Sequence, residues 1–511
     1  MFKKTARGSL ILLLGQVVST LFLALGIIIV AIFLGSSKFG SLSVALAPIS
    51  IALILQRFGI DSALTKYLAQ YRHERKTGYI RVLIETGIAI TLFISIALTL
   101  IVYLSAGFLA NRVYNDPTIE TPIRFLSFSI ISQAIISLSY GITVGYERMA
   151  LRSYVQILYS FLKSLISPFL VLLGYGIMGA VYGDVGPYLL SALLGIGFIA
   201  ILYRSERHVE NSITHHEAAR MLFGYGFPLY LANILGGVLS PMFTSLLVIY
   251  TDTIITGNWS ATLRFSVLLS FVTLPVSTVI LPLFSKLEGK PTELKTFYRL
   301  SVKYSALFAF PISVAIMALS EPIIKVVFRG GYEAAPLFLR LYMLIYFFVG
   351  LGSTSNTQLL NSQKRTDLTF NVSLVSFIFA ASTGWVLIPR YGAIGLIAAL
   401  FVNSLTGNLY AIYTIRKVYH FLPDLMSSLK LSIAAVVTYF IVHYFTIFLG
   451  LSALPQLIIG GSLTLFVYIL LVLLFRTISK KDIEYLKMIT HNLGPFSTIF
   501  NKIIDFLGKY V

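Results

Sequence analysis

Runs of about twenty apolar residues, each long enough to cross a bilayer as a helix, follow one another almost from end to end of this chain. Few folds are open to such a sequence. Hydrocarbon offers no hydrogen bonds, so the backbone must satisfy its own N–H and C=O groups in helices or in a closed barrel. The unbroken runs here read as helices. We read fourteen of them, near 9–34, 40–66, 80–107, 122–146, 154–175, 178–203, 220–250, 258–286, 298–322, 336–361, 367–388, 392–415, 426–450 and 454–476. The expected fold is an all-α polytopic membrane protein with 14 transmembrane helices. Composition agrees: 57% of residues are hydrophobic and 12% charged, where a soluble domain carries about 25% charged residues. With no cysteine, neither a disulfide framework nor a thiolate metal site can form. The sequence calls for no cofactor.

The formal net charge of +19 does not indicate a nucleic-acid partner. Lys and Arg stand in short loops between apolar runs and form no basic face or tail. They set orientation instead. The N-terminus (Lys3, Lys4, Arg7) and alternate loops (Arg72, Arg75 and Lys76; Arg148 and Arg152; Lys286, Lys290 and Lys295; Lys364 and Arg365; Lys480 and Lys481) hold most of them. The intervening loops are short and poor in positive charge. The positive-inside rule then places both termini in the cytoplasm of a cell membrane, and an even number of spans agrees. The first apolar run exceeds a signal-peptide core and lacks a convincing cleavage site, so it reads as the first span.

A long-range internal repeat organises the spans. Tyr175-Gly176-Ile177-Met178-Gly179-Ala180 answers Tyr391-Gly392-Ala393-Ile394-Gly395-Leu396 at an offset of 391 − 175 = 216. Tyr114 answers Tyr332, and the polar corner Glu147-Arg148 answers Lys364-Arg365, at nearly the same offset. Such a repeat marks a transporter built of two halves. Six spans return the chain to its starting side, so the halves are expected to be parallel six-helix bundles, 1–203 and 220–417, with a cavity between them. A cytoplasmic linker (204–219) joins them, and spans 13 and 14 (418–478) are an addition. His215-His216 in the linker has ligand-like spacing; a solvated loop is the plainer reading. In the tail, 479–511, Phe496, Ile499, Phe500, Ile503 and Leu507 recur at helical spacing. They fit an amphipathic helix on the cytoplasmic surface or one packed on the bundle.

Several stretches carry a family likeness. They are Gly15-Gln16, Phe33-Leu34-Gly35 and Phe39-Gly40; Phe58-Gly59-Ile60 with Ala63 and Lys66-Tyr67; Leu281-Pro282-Leu283-Phe284-Ser285-Lys286; and Ile388-Pro389-Arg390-Tyr391-Gly392. In this order the chain resembles the polysaccharide flippases of the multidrug/oligosaccharidyl-lipid/polysaccharide exporter superfamily over about residues 1–420. It departs after Asp252, where Gly257-Asn258-Trp259-Ser260 replaces a Val-Gly-x-Tyr-like turn. The resemblance implies two bundles that rock between inward- and outward-open states. The implied substrate is a glycan on a polyprenyl phosphate or diphosphate, moved from the cytoplasmic to the outer leaflet. Enzymes that assemble the glycan are the expected partners, with the bilayer itself.

Chemistry should then lie in polar residues at membrane depth. A cation at the centre of a span costs about 2.5–3.5 kcal/mol on insertion scales, so it faces a cavity or a partner. Arg57, Lys163 and Arg264 fall inside spans 2, 5 and 8. As substrate-binding candidates they would hold the carrier's phosphates, a guanidinium by its planar fork. Arg57 has a competing partner in Asp61, four residues on along the same helical face. Asp61 is also the candidate for ion coupling. Gln16 and its repeat equivalent Asn233 could bind sugar hydroxyls or hydrogen-bond between helices; Asn356, Gln358 and Asn361 share that ambiguity. Asn258-Trp259-Ser260 matches a glycosylation sequon expected on the outer side, where chance occurrence is the plainer reading, and Trp259 reads as an interface anchor.

Two other functions compete. A cation-coupled drug or metabolite antiporter of the same superfamily would use deep acids in the first span of a half, and 9–34 holds neither Asp nor Glu. An enzyme that polymerises or ligates lipid-linked glycans would carry a large outer loop, and the longest here, 108–121 and 323–335, are too short for a domain. The chain is therefore expected not to be an enzyme.

Overall fold

The computed structural model describes residues 2–204 and 213–477; within its helices the side chains of 2–11, 13, 14, 228, 229, 232, 233, 270–279, 281 and 282 fall outside the description. The expected tail, 479–511, and the central part of the linker lie outside it too. Among the described residues there is no strand. The helices are α1 (Phe2–Gln56), α2 (Ile60–His73), α3 (Thr77–Phe108), α4 (Glu120–Gly145), α5 (Met149–Leu170), α6 (Gly176–Arg204), α7 (His215–Tyr250) and α8 (Thr253–Ser285). They continue as α9 (Pro291–Ala318), α10 (Ser320–Phe328), α11 (Ala335–Met343), α12 (Asn356–Ser362), α13 (Thr366–Tyr419), α14 (Leu425–Leu449) and α15 (Ala453–Leu474). By length and composition, eight helical stretches among the described residues can cross a membrane, or nine if the pair Ala335–Leu351 and Asn356–Ser362, bent by 45°, counts as one span. Some of these stretches are twice the length of a span, because the helix runs on through a bend.

Those bends fall where the sequence puts boundaries between spans. α1 passes through Gly35 with φ 70° and ψ 172°. The α5–α6 turn contains Gly176 (φ 56°, ψ −132°), and α13 contains Gly392 (φ 55°, ψ −128°). Gly176 and Gly392 are equivalent in the repeat and adopt nearly the same backbone, one that side-chain-bearing residues avoid. The polar corners match as well. Glu147 (φ 57°) and Lys364 (φ 60°) are both left-handed. The N–H groups of Glu147 and Arg148 donate to Val144 and Thr143; those of Lys364 and Arg365 donate to Asn361 and Leu360. These paired bonds satisfy the last carbonyls of a helix, and the second set repeats the first at a constant offset of 364 − 147 = 217.

Contacts divide the chain into two compact units. The first comprises Met1–Val267, Val327–Phe338 and Phe377–Leu400. One of its cores joins Leu64 and Leu68 of α2, Ile80 and Leu83 of α3, Ile142 of α4 and Leu222 of α7. α7 opens on a capping box in which Thr214 and Glu217 bond to each other's backbone N–H. The Thr214 backbone N–H, with the hydroxyl's help, holds the Glu217 carboxyl below the usual carboxylate range. His215 and His216 therefore stand in the first turn of a helix, and His215 Nδ1 meets the Thr86 hydroxyl at 2.9 Å. The second unit comprises Leu268–Val326, Leu339–Ser376 and Phe401–Val511. Phe310 and Val314 of α9 pack there with Leu431 and Ala434 of α14 and Tyr468 of α15. Asn356 lies buried at the start of α12. It accepts from the Tyr298 hydroxyl at 2.7 Å and donates to Asn408 at 3.2 Å, the interhelical bonding that was one of its two readings.

Candidate substrate-binding site in the membrane

The α5–α6 hairpin sets the first charges. Its arms are antiparallel about the turn near Gly174, so residues equidistant from that turn meet. Tyr159 stacks on Tyr188 with ring centroids 4.1 Å apart. Four residues nearer the turn, Lys163 forms an ion pair with Asp184. The Lys163 ammonium is 5.6 and 5.7 Å from the two tyrosine centroids, close enough for attraction to their ring faces. Asp184 is 9% exposed and Lys163 23%, so a nearly buried charge has found the partner that low dielectric demands. The pair is neutral as a unit.

Arg264 has no such partner. It is half-buried on α8, and its Nε is buried with no hydrogen bond. No acidic side chain pairs with it among the described residues. The guanidinium carbon lies 6.0 Å from the Phe39 ring centroid and within Coulomb range of Lys163. Since Asp184 already neutralises Lys163, one positive charge at this place is left over.

Neighbouring bonds fix where α8 presents that charge. Asn258 Oδ1 accepts the backbone N–H groups of Ala334 and Ala335 at 3.1 and 2.9 Å. The Thr262 hydroxyl donates to the Ala335 carbonyl at 3.3 Å. Asn258 and Trp259 are each 2% exposed. This corrects the reading of Trp259 as an interface anchor and agrees with the sequon at Asn258 being a chance match. Asn258 is an internal cap with its amide oxygen doubly occupied, and a glycan could not reach it. Trp259 fills the core, so it does not anchor an interface. The hydrophobic–aromatic pattern that suggests a belt also describes a well-packed helix.

The other candidates stand apart. Arg57 is exposed at the break between α1 and α2, where Phe58 (φ 38°) and Gly59 (φ 69°) leave the helix. That break removes the shared face expected for Arg57 and Asp61, and no ion pair joins them among the described residues. Asp61 instead accepts from the Ser137 hydroxyl at 3.3 Å. From Phe39, beside Arg264, to Arg57 the chain rises about 27 Å along α1, so Arg57 stands apart from Arg264. Gln16 accepts from the Gln156 side chain of α5 at 2.6 Å, an interhelical bond. The side chain of Asn233 lies outside the described residues.

Sequence reasoning did not single out Asp184. A signal was present: (163 + 184)/2 and (159 + 188)/2 both equal 173.5, the position of the Gly174–Gly176 turn. Residues mirrored about a tight helical turn must face each other.

Eight or nine helical stretches among the described residues, long and apolar enough to cross a bilayer, define a multi-pass membrane protein. Known proteins narrow this. The family model for polysaccharide biosynthesis protein matches residues 5–288, and the chain belongs to that family. A second model, for lipid II flippase MurJ, matches residues 229–468. Among solved structures, lipid II flippase MurJ in an inward closed conformation superposes with a TM-score of 0.74 at 17% identity, over 91% of this chain and 98% of that one. An inward-facing multidrug resistance MATE family transporter of the MOP superfamily gives 0.64 at 15%, over 78% and 94%. A MOP superfamily transporter from Pyrococcus furiosus gives 0.57 at 16%, over 82% and 96%. No curated protein matches the chain.

Proposed function

We propose that the protein is a flippase that carries a polyprenyl-phosphate- or diphosphate-linked oligosaccharide from the cytoplasmic to the outer leaflet by alternating access, for cell-surface glycan synthesis. Arg264 carries the argument. A cation left unneutralised in a low-dielectric setting is costly, and an anionic ligand would offset that cost through a forked pair of hydrogen bonds. Lys163, neutralised by Asp184, positions the site more than it binds. Membership of a polysaccharide-biosynthesis family supports the glycan, and the likeness to MurJ supports its lipid carrier.

In this reading each bend at Gly35, at Gly174–Gly176 and at Gly392 separates two spans. The helices then make fourteen crossings: two parallel bundles of six, over 1–203 and 220–417, and two more over 418–478. Both termini face the cytoplasm, and enzymes that build the glycan work on that side. The deciding experiment is depletion of the protein followed by leaflet-specific labelling of lipid-linked glycan. Accumulation on the cytoplasmic leaflet is expected; an unchanged distribution removes the flippase reading.

Asp61 favours a second reading. It has no cationic partner among the described residues, and the fold is shared with multidrug transporters. A sodium ion or proton at Asp61 would suit an antiporter. Ion-dependent drug efflux lost in Asp61→Asn, with normal glycan distribution, is the result that selects it.

A further inference from the structure

A cleft of about 720 Å³ opens beside the first bend of α1 and the α7–α8 junction, wholly within the first unit. We propose that it binds an uncharged sugar unit of the transported headgroup; the proposal rests on the flippase reading and adds a second subsite to it. The lining decides the ligand class. Side chains that carry hydroxyls (Ser37, Ser41, Tyr114, Thr118, Thr251 and Thr253) line it together with the apolar Ile177, Val248 and Ile249. A sugar ring has the same two characters, an apolar C–H face and a hydroxyl edge.

Charge excludes phosphate. Lys38 is the cleft's one cation, set against Asp116 and Asp252, so an anion would meet net repulsion. Both Asp116 oxygens are already engaged, by Ser41 and by Thr118. Asp252 uses only Oδ1, to cap Ile255 N–H at 2.7 Å. Lys38 is exposed, and no ion pair holds it among the described residues. One strong donor and one strong acceptor thus remain open, the combination that fits a hydroxyl pair.

Position ties the cleft to the cation. Lys38 and Ser41 line it, and Phe39 between them lies against Arg264. The residues that line the cleft, Lys38 and Ser41, thus flank in sequence the one whose ring lies 6.0 Å from the Arg264 guanidinium carbon. The two subsites match a headgroup in which sugar follows phosphate.

The test is saturation-transfer NMR on the full-length protein in lipid nanodiscs, with methyl glycosides of glucose, galactose and N-acetylglucosamine as probes. Transfer to at least one glycoside is expected. Lys38→Met and Asp252→Asn should each weaken it about tenfold, the loss of one charge-assisted hydrogen bond. Asp252→Asn keeps an oxygen for the cap, and Lys38 is exposed, so at least one variant retains the fold. No transfer to any glycoside, or transfer unchanged in both variants, overturns the proposal. Arg264→Ala should leave transfer intact. If that variant also sustains glycan export, the phosphate reading fails while the sugar site stands.

Discussion

Ser37 and Thr253, 216 residues apart and equivalent in the repeat, meet through their hydroxyls at 3.3 Å. The contacts around them are reciprocal. Gly40 abuts the Thr253 carbonyl, and Gly257 abuts the Ser36 carbonyl. Tyr332 donates to the Ala31 carbonyl at 2.7 Å, while its counterpart Tyr114 meets Ser245 at 3.2 Å. Equivalent positions can touch only beside the axis that relates them. A Cβ at Gly40 or Gly257 would overlap backbone that cannot swing away. Gly40→Ala and Gly257→Ala should each lower stability by about 1–3 kcal/mol, read as a fall in the thermal midpoint in detergent. Equal midpoints would show that this packing yields.

Arg264→Met should separate function from stability. It removes an uncompensated charge of the kind that costs about 2.5–3.5 kcal/mol at membrane depth, so the thermal midpoint should rise. Complementation of a flippase-deficient host should fall to background. Full complementation ends the role assigned to Arg264.

Lys163 and Asp184 should behave as a unit. Either Lys163→Met or Asp184→Leu strands its partner, at a cost of about 3–5 kcal/mol. The double variant should recover most of that loss, giving a coupling that thermal unfolding of all four proteins can measure. Additive losses would mean that the pair contributes nothing.

Asn258→Ala should cost about 1–3 kcal/mol, because the buried Ala335 N–H and the half-buried Ala334 N–H lose their acceptor. In a glycosylating host the parent protein should show no glycan mass at Asn258. A glycan there would contradict its buried position.

Legibility followed locality. The repeat was readable because Tyr175-Gly176 and Tyr391-Gly392 spell the same turn, and the two glycines share one backbone shape. The bends at Gly35 and Gly392 were readable because apolar runs end there, and run length is a property of the segment alone. Pairings were harder. Lys163–Asp184 depends on the register of a hairpin, visible only once the turn is placed. Arg57–Asp61 looked sound at helical spacing and fails because Phe58 and Gly59 leave the helix between them. Asn258 matches a glycosylation pattern whose meaning reverses when the residue is inside.

The reciprocal contacts at Gly40 and Gly257 have the geometry of a homodimer seam, in which each partner offers the same patch. Here a single polypeptide supplies both patches. Nothing in that seam requires the covalent tie, so N-terminal and C-terminal segments severed between residues 204 and 213 and produced together should find one another and reconstitute the protein.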